Sequence, residues 1–322
     1  MPLGANYLEA LRRYADYERQ YSADVAAKIH EATTFEHVAK RYLKEVLPKK
    51  APRTQRDNLN ELKKLFEFFN APAPAPLNEI RPLHIRQYLD WRAKDGGVVR
   101  ANREVSLFSH IFNYAREWGY TDRENPCRGV KKNKETGRDV YVSDKVFWAV
   151  YGKAERHIQF VMLVAYLIGQ RVADCLKIKV SDIHDDELWI VQNKVNAKVR
   201  IKIEGLLAEV LAQLLVERGT VIHDYLFINL GRVRHAGQPL SYEMLRGGMD
   251  RARAAARIDK QQFQFRDLRA KAATDKDEQL GIEAARTLLG HSNQMMTADY
   301  IRNRKGKLVA PTVVKIKVSN AI

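Results

Sequence analysis

The run FVMLVAYLIG at residues 160–169 holds no charged residue, and Gln170 and Arg171 follow it at once. It is too short to cross a bilayer, which takes about 20 apolar residues. A helix this apolar has to lie inside a globular domain, so the chain around it must supply a shell of amphipathic elements. Arg171 then has two readings. It caps the buried helix electrostatically at its C-terminal end, or rigid structure presents it into a site.

The surrounding sequence provides such a shell. From Ser143, the spacing of Val146, Phe147, Val150 and Tyr151 predicts a helix before the buried one. Val172, Cys175, Leu176 and Ile178 predict another just after Arg171. The segment ELWIVQNKVNAKVRIKI then switches to β character: Leu188, Ile190 and Val191 come first, then Val199, Ile201 and Ile203 alternating with Arg200 and Lys202. Lys194–Lys198 is the expected turn between the strands. Amphipathic helices are expected at 205–217 and 241–256, with a further one opening at about 267.

Upstream, proline and glycine divide the chain into amphipathic stripes. Residues 1–30 read as helix, with Tyr7, Leu8, Leu11, Tyr14 and Ala15 recurring at helical spacing. Thr33 or Thr34 caps the next helix, in which Phe35, Val38, Ala39, Tyr42 and Leu43 share a face. After the KKAPR turn, a stripe of Leu59, Leu62, Leu65, Phe66 and Phe69 is stopped by APAPAP, since a proline run cannot continue a helix. Ile85, Tyr88 and Leu89 lead to Gly96–Gly97, and Val105, Phe108, Ile111, Phe112, Ala115 and Trp118 lead to Gly119. These four helices predict a small helical domain over 31–126. The stretch 127–142 is basic and nearly free of apolar residues, and reads as a solvated linker. It is also suited to following a phosphate backbone.

Charge narrows the partner. The 322 residues carry 55 Lys and Arg against 39 Asp and Glu, a net charge of +16. An excess of this size with no long apolar span points to a polyanion, nucleic acid before membrane. Cys127 and Cys175 lack metal-ligand spacing and make no disulfide framework. No signal peptide opens the sequence, and a reducing, intracellular location is expected.

The stretch LLGHSNQMMTADY, residues 288–300, sets a His and a Tyr nine positions apart, with the basic run IRNRKGK behind them. A tyrosine hydroxyl can act as a covalent nucleophile but is weak at neutral pH. For attack on a phosphodiester, fixed positive charge around the non-bridging oxygens would help. Arg302, Arg304, Lys305 and Lys307 fit a phosphate-rich neighbourhood. Singly, such features are ordinary: a helix-capping arginine, a loop histidine, a solvated basic face.

In chain order, however, GQR at 169–171, NK at 193–194, RDLR at 266–269, LGH at 289–291 and Tyr300 form one constellation, and Asn125–Pro126 closes the helical domain. This resembles the tyrosine recombinases of the phage-integrase class over about residues 31–307. The resemblance implies a mainly α fold with a small antiparallel sheet. It implies a SAM-like core-binding domain and a catalytic domain (143–310) that together clamp DNA, with an N-terminal extension (1–30) and a C-terminal tail (311–322). It further implies that Arg171 and Arg269 grip the scissile phosphate and that Tyr300 attacks it to give a 3′-phosphotyrosyl link. Lys194 then protonates the leaving 5′ oxygen, His291 donates a hydrogen bond to the phosphate, and Asp174 supports Arg171. No cofactor or metal is implied.

One position departs from the pattern. The second box usually begins with His, and here it begins with Arg266, which cannot accept a proton at neutral pH. Either Arg266 is a phosphate donor in the catalytic set, with water or another group taking the tyrosine proton, or the protein is a weakened catalyst; the first reading is favoured because the rest of the constellation is intact. Arg128, Lys131, Lys132, Lys134, Arg302 and Arg304 are candidate DNA contacts, and His235 in its RVRH context could touch DNA. The expected partners are double-stranded DNA, a homo-tetramer in the synaptic complex and accessory DNA-bending proteins, without membrane. The expected location is cytoplasmic, at the nucleoid. An integrase of a phage or mobile element is favoured over a cellular enzyme resolving chromosome or plasmid dimers, a type IB topoisomerase, or a non-catalytic DNA-binding relative. The tail VVKIKV at 313–318 alternates like a strand with no sequence neighbour, and pairing with another subunit's sheet is expected.

Overall fold

The computed structural model describes residues 12–20, 33–219, 223–231 and 236–302. Two compact units divide between Gly137 and Arg138, inside the basic stretch. Residues 12–20 are helical; the rest of the expected 1–30 helix lies outside the described residues.

Beyond that segment, the described residues of the first unit hold four further α-helices. In α1 (Phe35–Glu45), the Thr34 hydroxyl accepts from the His37 N–H at 3.2 Å, so Thr34 rather than Thr33 is the cap. Pro52 opens α2 (Pro52–Phe69), where a missing N–H costs nothing. Its buried stripe runs Asn58, Glu61, Leu62, Leu65, Phe69, while Leu59 is 46% exposed. The expected stripe was thus out of phase at one end: at about 100° per residue, Leu59 falls off the line through Leu62, Leu65 and Phe69. The polar pair is accommodated because Asn58 donates to Glu61 at 3.1 Å and accepts from the Tyr42 hydroxyl at 3.3 Å.

In α3 (Pro82–Lys94) and α4 (Val98–Glu117), the expected Ile85, Tyr88, Leu89, Val105, Phe108, Ile111, Phe112 and Ala115 are buried; Ala101 and Leu107 join them, while Trp118 lies past the helix end and is half-buried. The two helices also enclose an unexpected ion pair, Arg92 on Glu104 at 2.8 and 3.0 Å, joined by the Tyr88 hydroxyl at 2.7 Å. The core is aromatic, with Phe108 stacked between Phe35 and Phe69 at 4.6 and 4.9 Å. Asn125 turns the chain back by donating to Ser109 O at 2.9 Å and to Asn113 at 2.8 Å. The stretch that follows is not a free linker. Arg86 donates to Lys131 O and Asn133, and Asn102 donates to Asn133 O, so 131–133 runs along the first unit.

The second unit is built around α6 (Arg156–Ile168), buried over most of its length as its composition requires. Against it pack α8 (Gly205–Arg218), α9 (Tyr242–Ala256) and α10 (Asp267–Leu280), with α5 (Asp144–Tyr151) against α9. The helix expected from Val172 to Ile178 is a single turn, α7 (Val172–Cys175). Beyond it the backbone is taken by another segment: Leu226 N–H donates to Ile178 O at 2.7 Å and Val180 N–H to Asp224 O at 2.9 Å. The sheet is antiparallel in the order β1 (Ile183–His184), β2 (Glu187–Val191), β3 (Lys198–Lys202), with Leu188 opposite Ile201 and Ile190 opposite Val199. Leu188 and Ile190 face the core. Val191, expected with them, is exposed, as the period of two dictates. The turn spans 192–197, and Lys198 is already strand. The short helices α11 (Ile282–Leu289) and α12 (Gln294–Ala298) lead to Tyr300. The tail 313–318 lies outside the described residues.

Candidate active site

Five helix ends converge on the site. Helix α6 stops at Gly169, whose φ of +64° a side chain would strain, and the chain turns so that Arg171 precedes α7. Helix α10 begins at Asp267, with Arg266 before it and Arg269 in its first turn. Helix α11 stops at Gly290, φ +63°, where an added Cβ would lie 2.7 Å from Gln192 Nε2 and 2.8 Å from Val199. His291 follows. Asn293 then caps α12 by accepting from the Met295 N–H at 2.8 Å, and Tyr300 comes just past its end. The Arg302 N–H donates to Thr274 of α10 at 3.0 Å, which fixes the chain beyond Tyr300.

Arg269 is the most constrained member. It is buried, donating Nη1 to Gly169 O at 2.8 Å and Nη2 to Leu289 O at 2.9 Å. Both carbonyls are at helix C-termini, where partial negative charge offsets the cost of burying a guanidinium. Its Nε has no acceptor among the described residues. Burial first, then the neighbouring Arg171, lowers its pKa to about 10, so it stays charged at neutral pH. The guanidinium lies 5.3 Å from the Tyr300 ring centroid. Arg171 is partly exposed and donates Nη1 to Gln192 Oε1 at 2.9 Å.

His291 is buried, and its ring lies 5.3 Å from that of Tyr300. Arg269 Nη2 is 3.0 Å from His291 Nε2, and an arginine can only donate. Nε2 is therefore an acceptor, and the ring proton sits on Nδ1, 3.1 Å from the Thr297 hydroxyl. Burial, with Arg269 and Arg171 adding to it, pushes the imidazole pKa down to about 4. The ring is neutral and has no N–H turned to the cavity, so it does not stand ready as the phosphate donor the sequence suggested.

A cavity of about 410 Å³ is lined by Arg138, Arg171, Arg266, Arg269, Tyr300 and Arg302, with Asp267 and Asp299 among the other lining residues. Arg171, Arg266, Arg269 and Tyr300 thus meet there, and His291 lies beside it. Lys194 does not line the cavity. It is exposed on the hairpin turn, with no hydrogen bond or ion pair among the described residues. Asp174 is buried and sits 4.0 Å from Arg171 Nη1, too far for a hydrogen bond. Its Oδ1 instead accepts from the backbone and side-chain N–H groups of Asn193, at 2.9 and 2.7 Å, and so pins the turn next to Lys194.

Of the candidate DNA contacts, Arg128, Lys131, Lys132 and Lys134 are exposed in the first unit. Arg128 pairs with Glu124, and Lys132 donates to Ser106. Arg302 lines the cavity and lies 3.6 Å from Asp139; Arg304 and His235 lie outside the described residues.

Two participants escaped the sequence reading. Arg138 was only a linker charge, yet it forms a two-pronged pair with Asp267, 2.7 Å at each oxygen. Gln192 belonged to no motif, and an uncharged residue at a strand end gives no periodic signal that would single it out.

Comparison with known proteins gives the family and the fold. The sequence model of the phage integrase family matches residues 146–307. The integrase of Escherichia phage HK022 is 27% identical over 252 residues, which cover 72% of this chain and just under two thirds, 66%, of that protein. The integrase of Escherichia phage lambda is 25% identical over 261 residues, covering 79% of this chain and 72% of that protein. Among solved structures, a lambda integrase tetramer bound to a Holliday junction has a TM-score of 0.75 at 21% identity, over 96% of this chain and 92% of that one. A lambda integrase dimer bound to a COC′ core site has a TM-score of 0.74 at 22% identity, over 92% and 84%. These structures share the fold. Because the family model matches half of the sequence, and over the segment that carries the cavity, the chain belongs to the phage integrase family.

Proposed function

We propose that the protein is a site-specific DNA recombinase, the integrase of a phage or other mobile element. It cleaves and rejoins DNA through a 3′-phosphotyrosyl intermediate. The observation that carries this is the cavity: a tyrosine beside two guanidinium groups, one of which keeps an unpaired buried Nε donor.

Arg171 and Arg269 hold the two non-bridging oxygens of the scissile phosphate, with Arg266 a third donor at the rim. Guanidinium forks match phosphate oxygens and do not titrate. The phenol oxygen of Tyr300 forms the new bond to phosphorus as the bond to the 5′ oxygen breaks. Arg266 cannot take the phenol proton. Water at the open cavity takes it, while His291, in ring contact with Tyr300, holds the Arg269 guanidinium beside the phosphate. Lys194 gives its proton to the leaving 5′ oxygen after the exposed turn moves in over bound DNA. Rejoining reverses these steps at a new 5′ hydroxyl.

The +16 charge and the exposed lysines and arginines after Asn125 support a duplex DNA partner. By likeness to lambda integrase on a core site and on a Holliday junction, we infer that the two units clamp duplex DNA and that tetramers form on paired sites. No described helix is long and apolar enough to cross a membrane, in keeping with work at DNA in the cytoplasm. The test is to lyse cells expressing the protein in denaturant and sequence any DNA that stays attached. One discrete junction in wild type and none in Tyr300→Phe is expected; random or absent DNA in both would contradict the proposal.

A further inference from the structure

The two clamp arginines share a neighbour that no motif names. Gln192, wholly buried just past β2, accepts from Arg171 Nη1 at Oε1, 2.9 Å away. Its Nε2 donates to Gln170 Oε1 at 2.8 Å and to Leu289 O at 2.8 Å. The same Leu289 carbonyl takes Nη2 of Arg269 at 2.9 Å. Gln170, also buried, donates to Ile168 O and Leu288 O at 3.0 and 2.7 Å. An arginine only donates, so the orientation of the Gln192 amide follows from its neighbours, and both of its N–H groups are used. One amide thereby joins the end of α6, the end of α11 and the hairpin turn, two residues before Lys194.

We propose that Gln192 is a positioning residue of the cleavage reaction, a role that rests on the phosphotyrosyl reading of the site. Its Oε1 sets the Arg171 guanidinium, and its Nε2 ties that guanidinium to the carbonyl on which Arg269 rests. The spacing of the two phosphate-binding groups is therefore held by a residue that need not touch DNA. Movement of the Lys194 turn reaches Arg171 through the same side chain. The close approach of Gly290 fits this, since any side chain there would push into the amide. A glutamine that merely satisfies buried carbonyls would matter for stability and leave the chemistry alone.

The two roles separate in Gln192→Met, which keeps length and loses the amide. On a nicked duplex of the sequence recovered from cells, the single-turnover cleavage rate at saturating protein should fall about tenfold to a hundredfold, the scale of a misplaced reacting group. Affinity for the half-site should be unchanged. In an Arg171→Lys background the same substitution should have little further effect, because residues acting through one group are not additive. An unchanged rate, or a full additive loss, would overturn the proposal.

A second readout needs no DNA. Phenylglyoxal labelling of Arg171, read by mass spectrometry, should rise severalfold in Gln192→Met relative to exposed Arg200; equal labelling would overturn the proposal. If wild type formed no DNA adduct, the phosphotyrosyl reading would fail, while labelling would still decide whether Gln192 holds Arg171. If Gln192→Met does not fold, Gln170→Met removes one of the two acceptors that orient the Gln192 amide; the rate should fall and Arg171 labelling rise, each by a smaller factor, and no change in either would overturn the proposal.

Discussion

At the scale of single residues, the candidate site gathers positive charge around Tyr300, with Arg269 buried, Arg171 partly exposed and Arg266 at the rim. Arg171→Ala and Arg269→Ala should each cut single-turnover cleavage by about two to four orders of magnitude, as loss of other fixed transition-state donors does. A rate within threefold of wild type for either would put the phosphate elsewhere. Arg266 is exposed at the rim. Arg266→Lys and Arg266→His should keep substantial activity while Arg266→Ala loses much of it, and full activity in the alanine variant would make it a surface residue only. His291 carries a pH signature. Its folded-state pKa of about 4 lies below the usual 6.5, so between these values the unfolded chain binds more protons. The contribution of the neutral ring is fully present above pH 6.5 and is lost as pH falls toward 4. His291→Asn should flatten that part of the profile of melting temperature against pH, and parallel profiles would contradict the assignment.

At the scale of elements, the segment that leads into the second unit is strapped to α10. Arg138 pairs with Asp267, the Tyr141 hydroxyl donates to Asp275 at 2.7 Å, and Lys271 donates to Asp144 at 2.6 Å and Asp275 at 2.9 Å. Lys271 is 1% exposed, and its two carboxylates hold its pKa above the ordinary lysine range despite burial. Lys271→Met should cost about 1 to 3 kcal/mol, because it leaves the mostly buried Asp275 without its cation while Asp144 is largely exposed to water. Urea unfolding followed by circular dichroism measures this, and an unchanged midpoint would show the strap to be slack. None of this pairing was legible in the sequence, where 138–142 looked like the end of a solvated linker. Periodicity reports which face of an element is apolar, and it served well for α6, for Leu188 and Ile190, and for Phe108 and Phe112. It is silent on long-range polar pairing, which depends on where elements meet. The shortened α7 has the same cause, since residues 224–226 claim its backbone. Of the site, Arg171, Arg269, His291 and Tyr300 could be found by their order along the chain. Gln192, Arg138 and the proton position on His291 needed three dimensions.

At the scale of the whole molecule, the prediction concerns assembly. The alternating tail at 313–318 follows the nucleophile segment in sequence, and strand exchange between subunits would couple cleavage to a complete complex. Deleting 311–322 should leave binding to a single half-site intact and impair formation of the complex that holds two sites, as read by gel shift. Unchanged assembly and recombination would rule the exchange out. The central claim is the covalent bond. A nicked duplex bearing the recovered junction, incubated with wild-type protein, denatured and digested with protease and nuclease, yields peptides for mass spectrometry. The account predicts a nucleotide joined through its 3′ phosphate to the peptide containing Tyr300, a free 5′ hydroxyl on the released strand, and no such peptide from Tyr300→Phe. A nucleotide on any other residue, or an adduct that persists in Tyr300→Phe, would contradict it.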